Sequence, residues 1–270
     1  MIRISLRAVA VAVTAVAGVL SLTGTAGASG TTATPARSKA GAVPTGPGAL
    51  TRNPLYTAGE FASSECTEPG RQAGDPDTYR TYLDTLFGCL NRTWSEEFRQ
   101  AGLRFSPPRV RYITASVNTG CGQYVASYAA GLYCPRNKTM WIMLSKEELS
   151  DPTGFDLFTV VTHEYGHYAQ DRAGILAEFA RQSPKVGRKR ADDLNRRIEL
   201  QAECFSGAFV ASVWRSLGRD RHDWDEQLKR VAGDRWHGKT RNIRYWLERG
   251  WHGKGPKVCD TFSAPASRTA

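Results

Sequence analysis

The stretch VVTHEYGHYAQ, Val160 to Gln170, sets two histidines and a glutamate into a run that otherwise reads as an apolar helix. In its wider setting, FDLFTVVTHEYGHYAQDRAG, the residues Phe155, Phe158, Val161, Tyr165 and Tyr168 recur at three- and four-residue intervals, with Asp151 or Asp156 near the start and Gly174 near the end. That spacing predicts a helix. A helix face that only needs burial has no use for two imidazoles and a carboxylate, because each polar group must find a partner or forfeit its solvation. Residues four apart share a helix face, so His163 and His167 project side by side at a separation suited to one tetrahedral metal ion. Glu164 lies about 100° further round, near the metal position without facing it as the imidazoles do, which is where a general base belongs. H-E-x-x-H thus predicts two zinc ligands and a carboxylate able to take a proton from a metal-bound water.

A hydrolytic zinc site needs three protein ligands and an open position. The remaining histidines, His222, His237 and His252, lie among charges, Trp and Gly with no clear helical face. Glu199 and Glu203 are better placed. They sit four apart within a long periodic segment, about Lys189 to Leu217, where Leu194, Ile198, Ala202, Phe205, Phe209 and Val213 mark a buried face. One of the two carboxylates can bind the metal, and the other, one turn away, can accept the N–H of a ligand imidazole and orient it. Glu199 is the expected ligand and Glu203 the orienting or alternative one. An oxyanion stabiliser is also required; Tyr245, His222 and His237 are candidates, with none assigned.

The ends of the chain bear on location. Arg3 and Arg7 precede an apolar run from Ala8 to Leu22 that closes in TAGASG. It is short for a bilayer span, and Ala26 and Ala28 form a small-residue cleavage pattern. Residues 1–28 are therefore expected to be a removed secretion signal, leaving no stable membrane insertion. Residues 29–55, rich in Gly, Ala, Thr and Pro, are expected to be a disordered tether, and 56–270 a single domain. Six cysteines, Cys66, Cys89, Cys121, Cys134, Cys204 and Cys259, all follow the signal. An even count in an exported domain argues for disulfides. Fifteen connectivities are open; joining near neighbours in order pairs 66 with 89, 121 with 134 and 204 with 259. A secreted protein, free or associated with the cell wall, is expected.

The formal charge of +10 overstates the fold's basicity, since Arg3, Arg7, Arg37, Lys39 and Arg52 all precede the first acid, Glu60. Removing those five leaves +5, partly in KVGRKR (Lys185 to Arg190). Such a cluster reads as a solvated surface, and no nucleic-acid partner is expected.

Element order sets the fold class. DPDTYRTYLDTLFGCLNRTWSEEFRQAG (Asp75 to Gly102) is helical by period, PRVRYITAS (108–116) and KTMWIML (138–144) are strand-like, and helices follow, the last two short ones in WDEQLKRVAGDRW and NIRYWLERGW. Strands followed by helices, without βαβ alternation or repeats, indicate an α+β fold.

HExxH followed by a helix bearing ExxxD/E is the gluzincin arrangement, and CGQYVASYAAGLYCP, HEYGHYAQ, ELQAECFSG and VCDTF together resemble the bacterial neutral zinc metallopeptidase family over about Cys121 to Phe262. The resemblance implies a zincin-like fold, a small sheet with an active-site HExxH helix and a second ligand-bearing helix. It also implies one zinc ion held by His163, His167 and Glu199, with Glu164 as base and Glu203 behind the ligands. Disulfides joining Cys121 to Cys134 and Cys204 to Cys259 follow from it as well. The family pattern has Asp at Glu203 and acids where this chain has Asn137 and Met143. The expected activity is hydrolysis of peptide bonds in peptides or proteins by a monomer, with TMWIML pairing backbone to backbone with the substrate. The competing expectation is a secreted binding or inhibitory protein with a structural or vestigial zinc site.

Overall fold

In the computed structural model, which describes residues 41–124 and 130–270, a short helix α1 (Gly48–Thr51) and a long helix α2 (Pro76–Gln100) precede five short strands. These are β1 (Arg109–Ile113), β2 (Val117–Asn118), β3 (Gln123–Tyr124), β4 (Gly131–Cys134) and β5 (Thr139–Met143). Helices α3 (Asp156–Arg172), α4 (Ile175–Gln182), α5 (Arg188–Val213), α6 (Arg221–Arg230) and α7 (Thr240–Gly253) follow. The architecture is α+β, and the described residues belong to one compact unit.

Local chemistry sets the element ends. The Asp75 side chain accepts from the Asp77 backbone N–H at 2.9 Å and Pro76 takes the first helical position, so α2 starts there. Its buried face, Tyr79, Tyr82, Leu83, Leu86, Leu90, Trp94 and Phe98, is the helical repeat visible in the sequence. Trp94 packs on Phe61 at 4.9 Å and on Phe205 of α5 at 5.3 Å between ring centroids. Burying side chains of this size stabilises by roughly 1.5–3 kcal/mol each.

β1 and β5 form where the sequence predicts strands, paired parallel with Arg109 opposite Thr139. β4 joins β5 antiparallel, giving the order β1-β5-β4, and β2 and β3 make a separate two-stranded ribbon. This topology corrects the expectation that TMWIML offers its edge to a substrate. β5 is the central strand, and its two rows of backbone groups are taken by β1 and β4. Among the described residues β1 and β4 are the two edge strands of this sheet, and β4 lies against α3.

α3 and α5 pack closely because Gly166 has no side chain: a Cβ there would stand 3.0 to 3.1 Å from the backbone and Cβ of Ala202. Beside this contact the Thr162 and Ser206 hydroxyls share a 2.6 Å hydrogen bond. The disulfides are Cys66–Cys89, Cys121–Cys134 and Cys204–Cys259, the pairing of near neighbours. The first ties the loop before α2 to that helix, and the last ties α5 to the segment after α7.

The stretch expected as a tether is folded from Gly41 onward. Ala49, Leu50 and Leu55 are buried, and the buried Asn53 side chain donates to Ala49 O and to Ala173 O beyond the end of α3. Few apolar residues suffice because they fill a gap already framed by longer helices. The expected signal and residues 29–40 lie outside the described residues. Among the described residues, no helix is long and apolar enough to cross a membrane.

Candidate metal centre

One turn of α3 and one turn of α5 face each other across the Gly166 contact and bring three donors together. Glu199 Oε2 lies 3.1 Å from His167 Nε2 and 3.4 Å from His163 Nε2. The donor atoms of His163, His167 and Glu199 all lie within 4.8 Å of one another and could hold a metal ion. For metal–ligand bonds of the length zinc makes, the edge of a tetrahedron is about 3.3 Å, so the two carboxylate–imidazole distances are those of neighbouring corners. Glu203, one turn along α5, stands behind: its Oε1 is 3.2 Å from His163 Nδ1, at an angle short of a well-aligned hydrogen bond.

His167 is oriented from the other side. Its Nδ1 is 2.9 Å from Gln170 Oε1, and the Gln170 amide nitrogen donates to Ile198 O at 2.8 Å and to Gln201 Oε1 at 3.1 Å. With the amide turned that way, its oxygen accepts from Nδ1–H, which leaves the Nε2 lone pair toward Glu199. Gln201 in turn donates to Cys259 O and Tyr56 OH. Gln170 and Gln201 were not singled out in the sequence; the available signal was a pair of glutamines on the buried faces of α3 and α5.

Glu164 leaves α3 on the side of the sheet. Its Oε2 accepts from the Tyr133 backbone N–H of β4 at 2.7 Å. Gly131 makes room for it: a Cβ at that position would meet Glu164 Cγ at 2.8 Å and Val160 Cγ1 at 2.9 Å. The nearby Tyr124 hydroxyl is raised above its ordinary pKa by burial and by the charge of Glu164. His163, Glu164 and Glu203 line a cavity of about 320 Å³, walled by Val160, Val231, Ile243 and Leu247.

His237 reaches the same cavity from the loop before α7. Its Nδ1 lies 2.9 Å from Asp234 Oδ2, while Asp234 Oδ1 accepts from the backbone N–H groups of Trp236 and His237 at 2.7 Å. Its Nε2 is 3.5 Å from Glu199 Oε2, and its ring is 5.7 Å from that of His163. It stands outside the three-donor group. Of the three oxyanion candidates, the structure brings only this one to the site. His222 is exposed on α6, and Tyr245 stacks under Arg268 at 3.9 Å beside a separate hollow. Asn137 donates to Thr119 O, and Met143 is buried in the sheet.

Burial disfavours charge on all three donors. At His163 the carboxylates of Glu203 and Glu199 outweigh it, and at His167 that of Glu199 does, so both imidazoles are held above their ordinary value, His163 well above. Burial acts on Glu199 too, and the facing imidazoles outweigh it, holding the carboxyl well below the usual carboxylate range. Carboxylates that favour a proton on these rings also favour a divalent cation between them. Two imidazoles and a carboxylate are a donor set zinc accepts.

Fold and centre together define an α+β protein with a histidine–carboxylate cluster that could hold a metal ion, carried on two packed helices. The family model described as "putative neutral zinc metallopeptidase" matches residues 53–224, which include both histidines and all three glutamates, and the chain belongs to that family. It is 26% identical over 208 residues to Uncharacterized protein YpfJ of Escherichia coli K12, covering 69% of this chain and 72% of that protein. It is 29% identical over 194 residues to Uncharacterized protein Rv2575 of Mycobacterium tuberculosis, covering 59% and 64%. No solved structure matches.

Proposed function

We propose that the protein is an exported, zinc-dependent peptidase with a zincin-like arrangement of sheet and ligand helices. His163, His167 and Glu199 hold the metal, Glu203 and Gln170 orient the two imidazoles, and Glu164 is the general base. Zinc in that position supplies Lewis acidity, lowering the pKa of water and polarising a carbonyl. The observation that carries the reading is the convergence of three donor atoms within 4.8 Å of one another, with Glu164 next to His163 on the wall of the adjoining cavity.

Each remaining step falls to a side chain of this chain. With Oε2 held by the Tyr133 N–H, Glu164 has its other oxygen available to take the proton of the attacking water and later deliver it to the leaving amine. His237, fixed by Asp234 through Nδ1, presents Nε2 to the oxygen on which charge develops, and donates to it in its imidazolium form, with both ring nitrogens protonated. The peptide lies along the edge strand β4, whose residue Gly131 lines the cavity, in place of the central strand. Three disulfides suit an oxidising compartment.

The test is a quenched-fluorescence peptide library assayed with wild type, Glu164→Gln and His237→Ala, alongside metal analysis. The proposal expects chelator-sensitive cleavage, its loss in Glu164→Gln with zinc still bound, and a fall in kcat of about 100-fold in His237→Ala. Cleavage that persists in Glu164→Gln at the wild-type rate rejects the assigned base.

A further inference from the structure

Next to the metal centre is a second, open hollow of about 530 Å³, lined by Arg196, Arg235, Lys239, Gly233, Gly238 and Asp234 among others. Asp234 lines both cavities, so the loop that carries His237 is the wall between them. Arg196 precedes Glu199 by three residues on α5, which puts the hollow about one helical turn, roughly 5 Å, along the helix from the expected ligand.

Cationic side chains outnumber anionic groups in this hollow. Most of the arginines and lysines in the ion pairs of this protein sit on a carboxylate nearby in sequence, as Arg99 on Glu96 and Arg221 on Asp225 do. Arg196, Arg235 and Lys239 form no ion pair among the described residues. The one acidic side chain in the lining, Asp234, is committed to His237 and to the backbone of its own turn, and Ala270, whose terminal carboxylate also lines the hollow, accepts from Asn242 Nδ2 at 2.7 Å and forms no ion pair with these cations among the described residues. Two of the cations are also held in place. Arg196 Nε donates to Thr269 O at 3.0 Å, and the Arg235 guanidinium stacks over the exposed Trp236 ring at 4.2 Å. The first turn of α7, at Thr240, adds the positive end of a 14-residue helix. Held cations that outnumber the anions around them and form no ion pair, beside a cleft, favour an anionic group on whatever occupies that cleft.

We propose that the hollow is a substrate subsite for a carboxylate, two or three residues from the scissile bond at about 3.3 Å per extended residue. This rests on the peptidase reading and adds the class of substrate: peptides that place an acidic side chain, or their own terminal carboxylate, in that position. Arg196 and Arg235 supply the forked donors that suit a carboxylate, and Lys239 a point charge.

The experiment measures binding apart from turnover. Fluorescein-labelled peptides are titrated by anisotropy into the Glu164→Gln protein. One peptide carries Glu three residues from an apolar pair, one carries Gln there, and each is made with a free and an amidated C-terminus. The proposal expects the Glu peptide to bind about tenfold more tightly than its Gln counterpart whether amidated or not, if the side chain is the source. If the terminal carboxylate is the source, amidation weakens binding by the same factor. In either case Arg196→Gln/Arg235→Gln reduces the preference to less than about twofold. Arg235→Gln alone, an exposed substitution, reduces it in part even if the double variant folds poorly. Equal binding of all four peptides, no binding of any, or a preference that survives the substitutions overturns the proposal. The peptidase reading is judged separately, by whether wild type cleaves these peptides. An acid preference without cleavage would reject that reading and leave the subsite standing.

Discussion

Replacing Gly131 with alanine puts the proposed base under direct mechanical test. The new Cβ would lie 2.8 Å from Glu164 Cγ and 2.9 Å from Val160 Cγ1. Non-bonded carbons settle at about 3.5–4.0 Å, so something must move by roughly 0.7 to 1 Å. The strand has little freedom, being paired with β5 and bound through Cys134 to Cys121. The softest coordinate is rotation of the Glu164 side chain, and that rotation breaks its 2.7 Å hydrogen bond from Tyr133 N–H. Overpacking of this kind costs about 1–3 kcal/mol, and a displacement of about 1 Å at a reacting group can cost on the order of 100-fold in rate. Gly131→Ala is therefore expected to lose about 100-fold in kcat, with zinc content unchanged and the protein folded by circular dichroism. Adding Val160→Ala removes one of the two overlaps, so stability should recover in part while activity stays low. Wild-type turnover in Gly131→Ala, or a loss that merely tracks the unfolded fraction, would refute the reasoning.

Glu97 of α2 is buried with neither carboxyl oxygen hydrogen-bonded, and burial followed by the charge of Glu96 pushes its pKa up to about 7. The folded state therefore holds a proton that the unfolded chain gives up near 4.5, and stability falls as pH rises between those values. Glu97→Gln should match wild type near pH 4 and exceed it above pH 8 by on the order of 3 kcal/mol or less in urea unfolding; equal stability at both pH values would show the carboxyl to be solvated. Gln170→Leu removes the acceptor from His167 Nδ1 and should weaken zinc binding by about 10- to 100-fold in chelator competition, with Tm of the metal-free protein the control for folding. Opening Cys204–Cys259, which spans 55 residues, by a double substitution to alanine should cost about 4 kcal/mol in the same unfolding assay; a cost below about 1 kcal/mol would mean that packing alone holds the segment after α7 on α5.

Features carried by local periodicity were readable in advance. His163, Glu164 and His167 lie within one turn and a half of helix, so their relative placement follows from helical geometry alone. Glu199 and Glu203 were reachable because their helix repeats its apolar face over many turns. What escaped depends on tertiary closure. β4 is four residues long, too short for a period-two signal, yet it supplies the N–H that holds Glu164. The strand expected to meet substrate, β5, became the centre of the sheet because its partner β1 comes from before β2, a pairing that strand propensity does not encode. His237 sits in a loop rich in Gly and charge, and only the turn built by Asp234 brings it to the cavity. The stretch 41–55 has the composition of a linker, but four of its residues, Ala49, Leu50, Asn53 and Leu55, fit a gap framed by distant helices.

Crystals of the purified protein, measured on either side of the zinc absorption edge, test the central claim most directly. The account predicts one anomalous peak per chain, about 2.0–2.2 Å from His163 Nε2, His167 Nε2 and a Glu199 oxygen, with solvent or substrate completing the tetrahedron. A peak ligated by His237 or Glu203 as a fourth side chain, or metal bound elsewhere with these donors apart, would contradict it.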